Sequence, residues 1–128
     1  MQEVRGVVVS GVGMKPFIHA KNSARKHGGT PTDYQDIHDF IDSTKVAIPD
    51  VRHRAVLHNA FGCFLVERVF GVTRVNSDGK TYSPRDIAEE HVQEDLGFIP
   101  TLERCFEGMP IAKWFGGRTR KRHIPLED

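Results

Sequence analysis

The chain has 128 residues, of which 38% are hydrophobic and 27% are charged, and its formal net charge is +1. This length suits one compact domain, and no run of residues approaches the roughly 20 apolar positions of a membrane span. The two cysteines, Cys63 and Cys105, are too few for a disulfide framework or a cysteine-rich zinc site, and they suit a reducing compartment. The start lacks the features of a secretory signal, so we expect a mature cytoplasmic protein.

The charges are unevenly distributed along the chain. Residues 113–128 carry five basic and two acidic side chains, whereas the other 112 residues carry 13 basic and 15 acidic ones. Val4–Val12 is β-branched and bounded by glycines, which is typical of a strand. We therefore predict a strand or arm at residues 1–14, one helical domain at residues 15–115, and a basic tail at residues 116–128.

The domain carries several helix signals. A glycine pair follows the first predicted helix, and Ser83-Pro84 provides a cap and a first-turn proline for another. Asn76–Gly79 is typical of a tight turn, so residues 72–83 are predicted to form a hairpin. The predicted helices cover Phe17–His27, Asp33–Ala47, about 50–70, about 84–97 and 101–108.

The helix over about 50–70 is predicted to be the centre of the domain. Residues 55–66 are apolar on nearly every side, interrupted by His58, Asn59 and Gly62, and such a helix packs in the middle of a domain. Cys63 is interpreted as a packing residue, and Trp114 as an aromatic anchor. The predicted fold is α+β and mainly helical, with about four to five helices around this buried helix and a small hairpin.

Three histidines are predicted to face one core. His38, His58 and His91 each lie on the apolar side of a different predicted helix, and Asp42 and Asp95 follow two of them by four residues. Imidazole is the commonest metal ligand, and helical domains build metal sites from inward-facing side chains. We predict His38, His58, His91 and Asp95 as ligands of zinc, iron or manganese, with supporting or additional roles for Asp42, His53 and His19.

Such a site permits several functions. A bound ion would suit a metal-dependent hydrolase, and nearby arginines favour a phosphorylated or nucleotide-like substrate. The alternatives are a polar core network that fixes helix packing without metal, and a small-ligand pocket.

The order His19, His38-Asp39, Asp95 resembles the His, His-Asp, Asp order of the HD-domain phosphohydrolases. The chain departs from that family because it is short, the first gap is small, and Asp39 lies off the apolar stripe that carries His38.

The basic tail predicts a second kind of function. Arg118, Arg120, Lys121 and Arg122 form a segment that can bind a phosphate backbone without reading bases. With the N-terminal arm, the tail would suit a non-catalytic component of a nucleoprotein or virion assembly. A disordered, solubilising terminus is the alternative interpretation.

Several long segments carry a resemblance to a known family. The segments HAKNSARKHGG, PTDYQDIHDFIDSTK, DVRHRAVLHNAFG, FLVERVFG, VNSDGK and EEHVQEDLGFIPT resemble a group of small bacterial and phage proteins classed as a domain of unknown function. The resemblance covers roughly residues 19–105. It implies an intracellular or virus-encoded protein, and it carries no activity or functional residue to transfer.

Overall fold

The computed structural model describes residues 15–117. This part of the chain is mainly helical and contains a small antiparallel hairpin, which confirms the predicted α+β class. The predicted arm at residues 1–14 and the four predicted anion-binding residues at positions 118, 120, 121 and 122 lie outside the described residues. Both therefore stay predictions, as does docking to a nucleic acid or an assembly partner.

Six α-helical segments follow the order of the chain. Prolines begin the first and fifth of them, where the missing N–H has no helical partner to lose. Ser83 caps the fifth helix, as predicted, by accepting a hydrogen bond from the Asp86 N–H at 3.2 Å. The helices are α1 Pro16–His27, α2 Gln35–Ile41, α3 Arg54–Leu57, α4 Ala60–Phe70, α5 Pro84–Leu96 and α6 Leu102–Cys105. Short 3-10 turns cover Pro31–Asp33, Ser43–Val46, Val51–His53 and Lys113–Gly116.

The predicted hairpin is present between α4 and α5. Strand β1, Arg74–Val75, pairs antiparallel with strand β2, Thr81–Tyr82, so that Arg74 lies opposite Tyr82. The side-chain oxygen of Asn76 accepts hydrogen bonds from two backbone N–H groups of the turn, and Gly79 takes a positive φ of 80°.

The core lies where α2, α4 and α5 meet. α5 packs against α4 and α2, while α1 contacts both α2 and α5. Cys63 is buried, and burial raises the pKa of its thiol to about 12, which confirms its role as a packing residue. The other fully or nearly fully buried members of this core are Tyr34, Ile37, Ile41, Val66, Tyr82, Ile87, Ala88 and Val92.

The prediction of one continuous helix over about 50–70 is wrong. The chain leaves the helical conformation at His58 (φ −84°, ψ 60°) and is extended at Asn59 (φ −159°, ψ 177°). Asn59 is fully buried, and its side chain bonds to both helices: its amide donates to two carbonyls of α3, and its oxygen accepts the Gly62 N–H at 2.8 Å. The break is therefore a capped junction, and it positions His58.

The prediction that this region is buried on all sides is also wrong. Gly62, Cys63 and Val66 face the core, whereas the opposite side of α4 exposes Phe61, Phe64 and Val69. A helix at the edge of a small domain can bury only one side against its neighbours.

Two further helices are shorter than predicted. α2 ends at Ile41, where the Ser43 hydroxyl donates to the Phe40 carbonyl at 2.7 Å and competes with the helical pattern. α6 ends at Cys105 rather than at about residue 108.

Trp114 is not the predicted anchor, because 75% of its side chain is exposed. It lies in a short 3-10 turn and contacts the ring of Phe115, with 4.6 Å between the centroids. Within residues 15–117, no helix has the length and apolar character needed to cross a membrane.

The junction between α3 and α4 leaves no room for a side chain at Gly62. An added Cβ would lie 1.9 Å from the Leu57 carbonyl oxygen. We expect Gly62→Ala to lower the free energy of unfolding by at least about 2 kcal/mol, because relief of this contact requires a backbone shift. Urea denaturation measures the change.

Gly108→Ala is the matched control, because nothing lies within 4 Å of the added Cβ there. Its free energy of unfolding should stay within about 0.5 kcal/mol of the wild type. Equal urea midpoints for the two variants would contradict the close approach at Gly62.

Candidate metal centre

Three parts of the fold bring two carboxylates and two imidazoles together. α5 carries His91 and Asp95 four residues apart and therefore on one side of the helix. Asp42 follows the last residue of α2, and His58 lies at the junction between α3 and α4. We call Asp42, His58, His91 and Asp95 the quartet. One ligand atom from each member lies within 4.8 Å of those of the other three.

The separations within the quartet are those of ligands around one ion. His58 Nε2 lies 3.3 Å from Asp42 Oδ1 and 3.0 Å from Asp95 Oδ2, and His91 Nε2 lies 3.3 Å from each of the same oxygens. Zinc bonds of about 2.0–2.1 Å to nitrogen and oxygen give a tetrahedron with edges of about 3.3–3.4 Å. Octahedral bonds of about 2.1 Å give edges of about 3.0 Å. The four observed separations fall in this range.

Buried polar atoms without hydrogen bonds also indicate a metal site. Among the described residues, Asp42 Oδ2, His58 Nδ1 and His91 Nε2 are buried and make no hydrogen bond. Buried polar atoms are rarely left without a partner, since the loss costs about 1–3 kcal/mol each. His91 Nε2 lies 3.3 Å from two carboxylate oxygens without a hydrogen bond to either, and a cation between these three atoms would satisfy all of them. The quartet therefore fits a metal ion.

A second set of histidines lies beside the quartet and shares one member with it. We call His19, His38 and His91 the trio, since their ligand atoms also lie within 4.8 Å of one another. His38 Nδ1 and His91 Nδ1 are 2.8 Å apart, and His38 Nε2 lies 2.7 Å from the Ser23 hydroxyl. The His19 ring stacks on the His91 ring with 3.7 Å between the centroids.

His19 joins α1 to the acidic side of α5. Its Nδ1 lies 2.6 Å from Glu94 Oε1, and its Nε2 lies 3.2 Å from Asp95 Oδ1. Asp95 therefore contacts the trio through one oxygen and the quartet through the other.

Both carboxylates of the quartet are held in the ionised state. Burial works to raise the pKa of Asp42, but the neighbouring imidazoles of His58 and His91 outweigh it and hold that pKa well below its usual range. Burial opposes ionisation of Asp95 too, and the imidazoles of His19, His58 and His91 lower its pKa in the same way. The quartet is thus a buried pair of negative charges.

The histidines respond to these charges in two ways. Burial disfavours the charged form of His58 and of His19, yet their carboxylate partners outweigh burial and raise the pKa of both rings. His38 and His53 lack such a carboxylate contact, and burial lowers the pKa of His38 to about 2 and that of His53 to about 4. The neighbouring carboxylates thus favour the protonated forms of His19 and His58.

The structure separates the predicted ligands into these two sets. His58, His91 and Asp95 lie together with Asp42, whereas His38 contacts His91 from the side that faces away from the quartet carboxylates. His53 is buried and bonds to Thr44, and its ring lies 5.4 Å from that of His58. Ligation itself stays a prediction for all of them.

The HD-domain pattern does not extend to Asp39. Its side chain is exposed and accepts a hydrogen bond from Gln35 at 3.0 Å on the surface of α2, because residues 38 and 39 face different sides of a helix. The carboxylate that reaches the site from this region is Asp42.

Sequence reasoning missed three participants. Ser23 lies four residues after His19, on the same side of α1, and this spacing could have indicated it. Glu94 lies outside the apolar stripe of α5, so no periodicity marked it. No contact with Asp95 was predicted for Arg54, whose side chain is 18% exposed and whose Nη2 lies 3.8 Å from Asp95 Oδ1.

One comparison with known proteins identifies the family. The family model for the domain of unknown function DUF6915 matches residues 14–115. The chain belongs to this family. The matched range of the DUF6915 domain includes every member of the quartet and the trio. The family resemblance inferred from the sequence is thus confirmed, whereas a bacterial or phage origin stays a prediction. No curated protein and no solved structure matches the chain.

Proposed function

We propose that this DUF6915 domain binds one divalent transition-metal ion through Asp42, His58, His91 and Asp95. The observation that carries the proposal is the set of four nitrogen–oxygen separations of 3.0–3.3 Å within the quartet. They equal the edges of a metal coordination polyhedron. His91 Nε2, one of the atoms at these separations, is buried without a hydrogen-bond partner, which supports the same conclusion.

The donor set favours particular ions. Two imidazole nitrogens and two carboxylate oxygens suit zinc, iron or manganese, and they are a poor match for ions that prefer sulfur or only oxygen. A divalent ion also balances the charge of the two carboxylates in a site where an unpaired charge would be costly.

The first test compares two aspartates of the same region. We expect the wild-type chain to bind about one zinc or manganese ion in calorimetric titration after chelator treatment. Asp42→Asn should weaken that affinity by at least about tenfold, because it removes a charged ligand. The matched control, Asp39→Asn, changes an exposed carboxylate and should bind the ion as the wild type does.

Two results would contradict the site. The first is a wild-type chain that retains no ion and whose melting temperature zinc and manganese leave unchanged. The second is an equal loss of affinity in both asparagine variants.

The affinity should also depend on pH. Because the carboxylates of Asp42 and Asp95 outweigh burial and raise the pKa of His58, an ion at His58 Nε2 competes with a proton for that nitrogen. We expect the affinity to fall as the pH falls. Calorimetry in buffers with different ionisation enthalpies should show a net release of protons on binding, and an affinity that does not change with pH would contradict this exchange.

We further propose that the centre hydrolyses a small anionic substrate such as a phosphate ester. A divalent ion in such a site lowers the pKa of a coordinated water toward 7 and so supplies a nucleophile. Arg54 supports the proposal, because its partly exposed guanidinium lies 3.8 Å from Asp95, beside the quartet, where it can orient an anion. The edge of the quartet at Asp42, whose side chain is 7% exposed, is the side that approaches solvent.

The second test measures turnover of phosphate monoesters and nucleotides by the metal-loaded chain, with chelator as the blank. We expect turnover that Arg54→Ala lowers by at least tenfold, while Arg52→Ala, which removes an exposed arginine paired with Asp50, leaves it unchanged. Metal binding without turnover of any of these substrates would refute the hydrolase and leave the metal site standing.

A further inference from the structure

We propose that His38 and Ser23 are positioning residues that fix the ring of His91 as a metal ligand, and that the trio does not hold a second ion. The inference rests on the proposed metal site. It concerns His19, Ser23 and His38, which are not members of the quartet. It predicts one ion per chain, although the quartet and the trio are two groups of potential ligands.

The first observation is a buried chain of hydrogen bonds. Ser23, His38 and His91 are 3%, 1% and 0% exposed. The Ser23 hydroxyl lies 2.7 Å from His38 Nε2, and His38 Nδ1 lies 2.8 Å from His91 Nδ1. Two neutral rings that meet through the same kind of nitrogen can share only one proton, so one ring donates and the other accepts.

The second ring nitrogen of His91, Nε2, decides which groups donate and which accept in these hydrogen bonds. His91 Nε2 faces the carboxylate oxygens of Asp42 and Asp95 at 3.3 Å, so it is the nitrogen that would ligate the proposed ion, and a ligating nitrogen carries no proton. With the ion on Nε2, the proton of the His91 ring lies on Nδ1 and is donated to His38 Nδ1. His38 carries its own proton on Nε2 and donates it to the Ser23 oxygen. This arrangement presents the lone pair of His91 Nε2 to the quartet.

The second observation is that the trio has no nitrogen to spare. Both nitrogens of His19 contact carboxylates, Nδ1 that of Glu94 and Nε2 that of Asp95. Both nitrogens of His38 belong to the hydrogen-bond chain. The trio is close together because its rings stack, with 3.7 Å between the centroids of His19 and His91 and 5.0 Å between those of His38 and His91.

Stacking and outer hydrogen bonds of this kind hold a ligating ring in one orientation. Groups that bond to the second nitrogen of a metal-bound histidine fix its tautomer, and their loss costs about 10–100-fold in metal affinity. The carboxylate or carbonyl that usually serves this purpose is replaced here by a second neutral imidazole.

The direct test reads the tautomer of His91. Long-range proton–nitrogen NMR correlations of the zinc-loaded full chain should show a protonated Nδ1 and a proton-free Nε2 on His91. A His91 ring that binds zinc through Nδ1, or keeps its proton on Nε2 in the zinc-loaded chain, would overturn the inference.

The second test compares two substitutions at His38. An asparagine carries an amide oxygen near the position of Nδ1, so His38→Asn should bind zinc more tightly than His38→Leu, which removes the acceptor. We expect His38→Leu to bind one ion with about 10–100-fold lower affinity than the wild type. His27→Gln is the control. His27 is a half-buried histidine of α1, and it bonds to Glu90 of α5 rather than to a member of the quartet or the trio. Circular dichroism checks that each variant folds.

The outcomes separate the two proposals. A wild-type chain that binds no zinc refutes the metal site, whereas one that binds zinc with equal affinity in His38→Asn and His38→Leu refutes only the positioning role. Two ions per wild-type chain, falling to one in His38→Leu, would show that the trio is itself a metal site. If His38→Leu does not fold, Ser23→Ala and the NMR tautomer decide the question.

Discussion

The structure depends on the burial of two negative charges, those of Asp42 and Asp95, between α2 and α5. Their side chains are 7% and 2% exposed, and moving an ion out of water costs several kcal/mol unless its surroundings compensate. The compensation comes from the histidines of the site. The carboxylates raise the pKa of His19 and His58 and so favour the protonated rings, and a divalent ion would balance the same charges when bound. We therefore expect metal binding at the site to be coupled to the release of protons.

Each local feature of the backbone places one part of this arrangement. The junction at Asn59 turns His58 out of the helical path and toward α5, and the absence of a side chain at Gly62 lets α4 begin directly beside the end of α3. The end of α2 at Ile41 leaves Asp42 as the residue that enters the site. On α5 the four-residue spacing of His91 and Asp95 requires no special backbone. The rigid helix thus carries two members of the quartet, and the two helix ends carry the others.

The sequence predicted the elements better than their ends. The apolar spacing and the end signals were enough to place α1, α5, the hairpin and the three histidines that face the core. The junction within residues 50–70 was not predicted, because Asn59 reads as a polar interruption of a helix unless its capping bonds are known. Those bonds depend on the packing of α3 against α4, which periodicity does not report.

Sequence spacing also fails to predict how the residues of the site are oriented. Spacing alone put Asp42 on one side with His38, yet Asp42 reaches His58 and His91 while His38 bonds to His91 from behind. The distinction between a ligand and the residue that orients it depends on which ring nitrogen faces the site. No pattern of residue types encodes that orientation.

The central claim is that Asp42, His58, His91 and Asp95 hold one ion, and X-ray absorption spectroscopy of the zinc-loaded chain tests it most directly. The account predicts nitrogen and oxygen ligands at about 2.0–2.2 Å, with outer-shell scattering from two imidazole rings. A sulfur shell near 2.3 Å, or first-shell oxygen with no imidazole scattering, would contradict it.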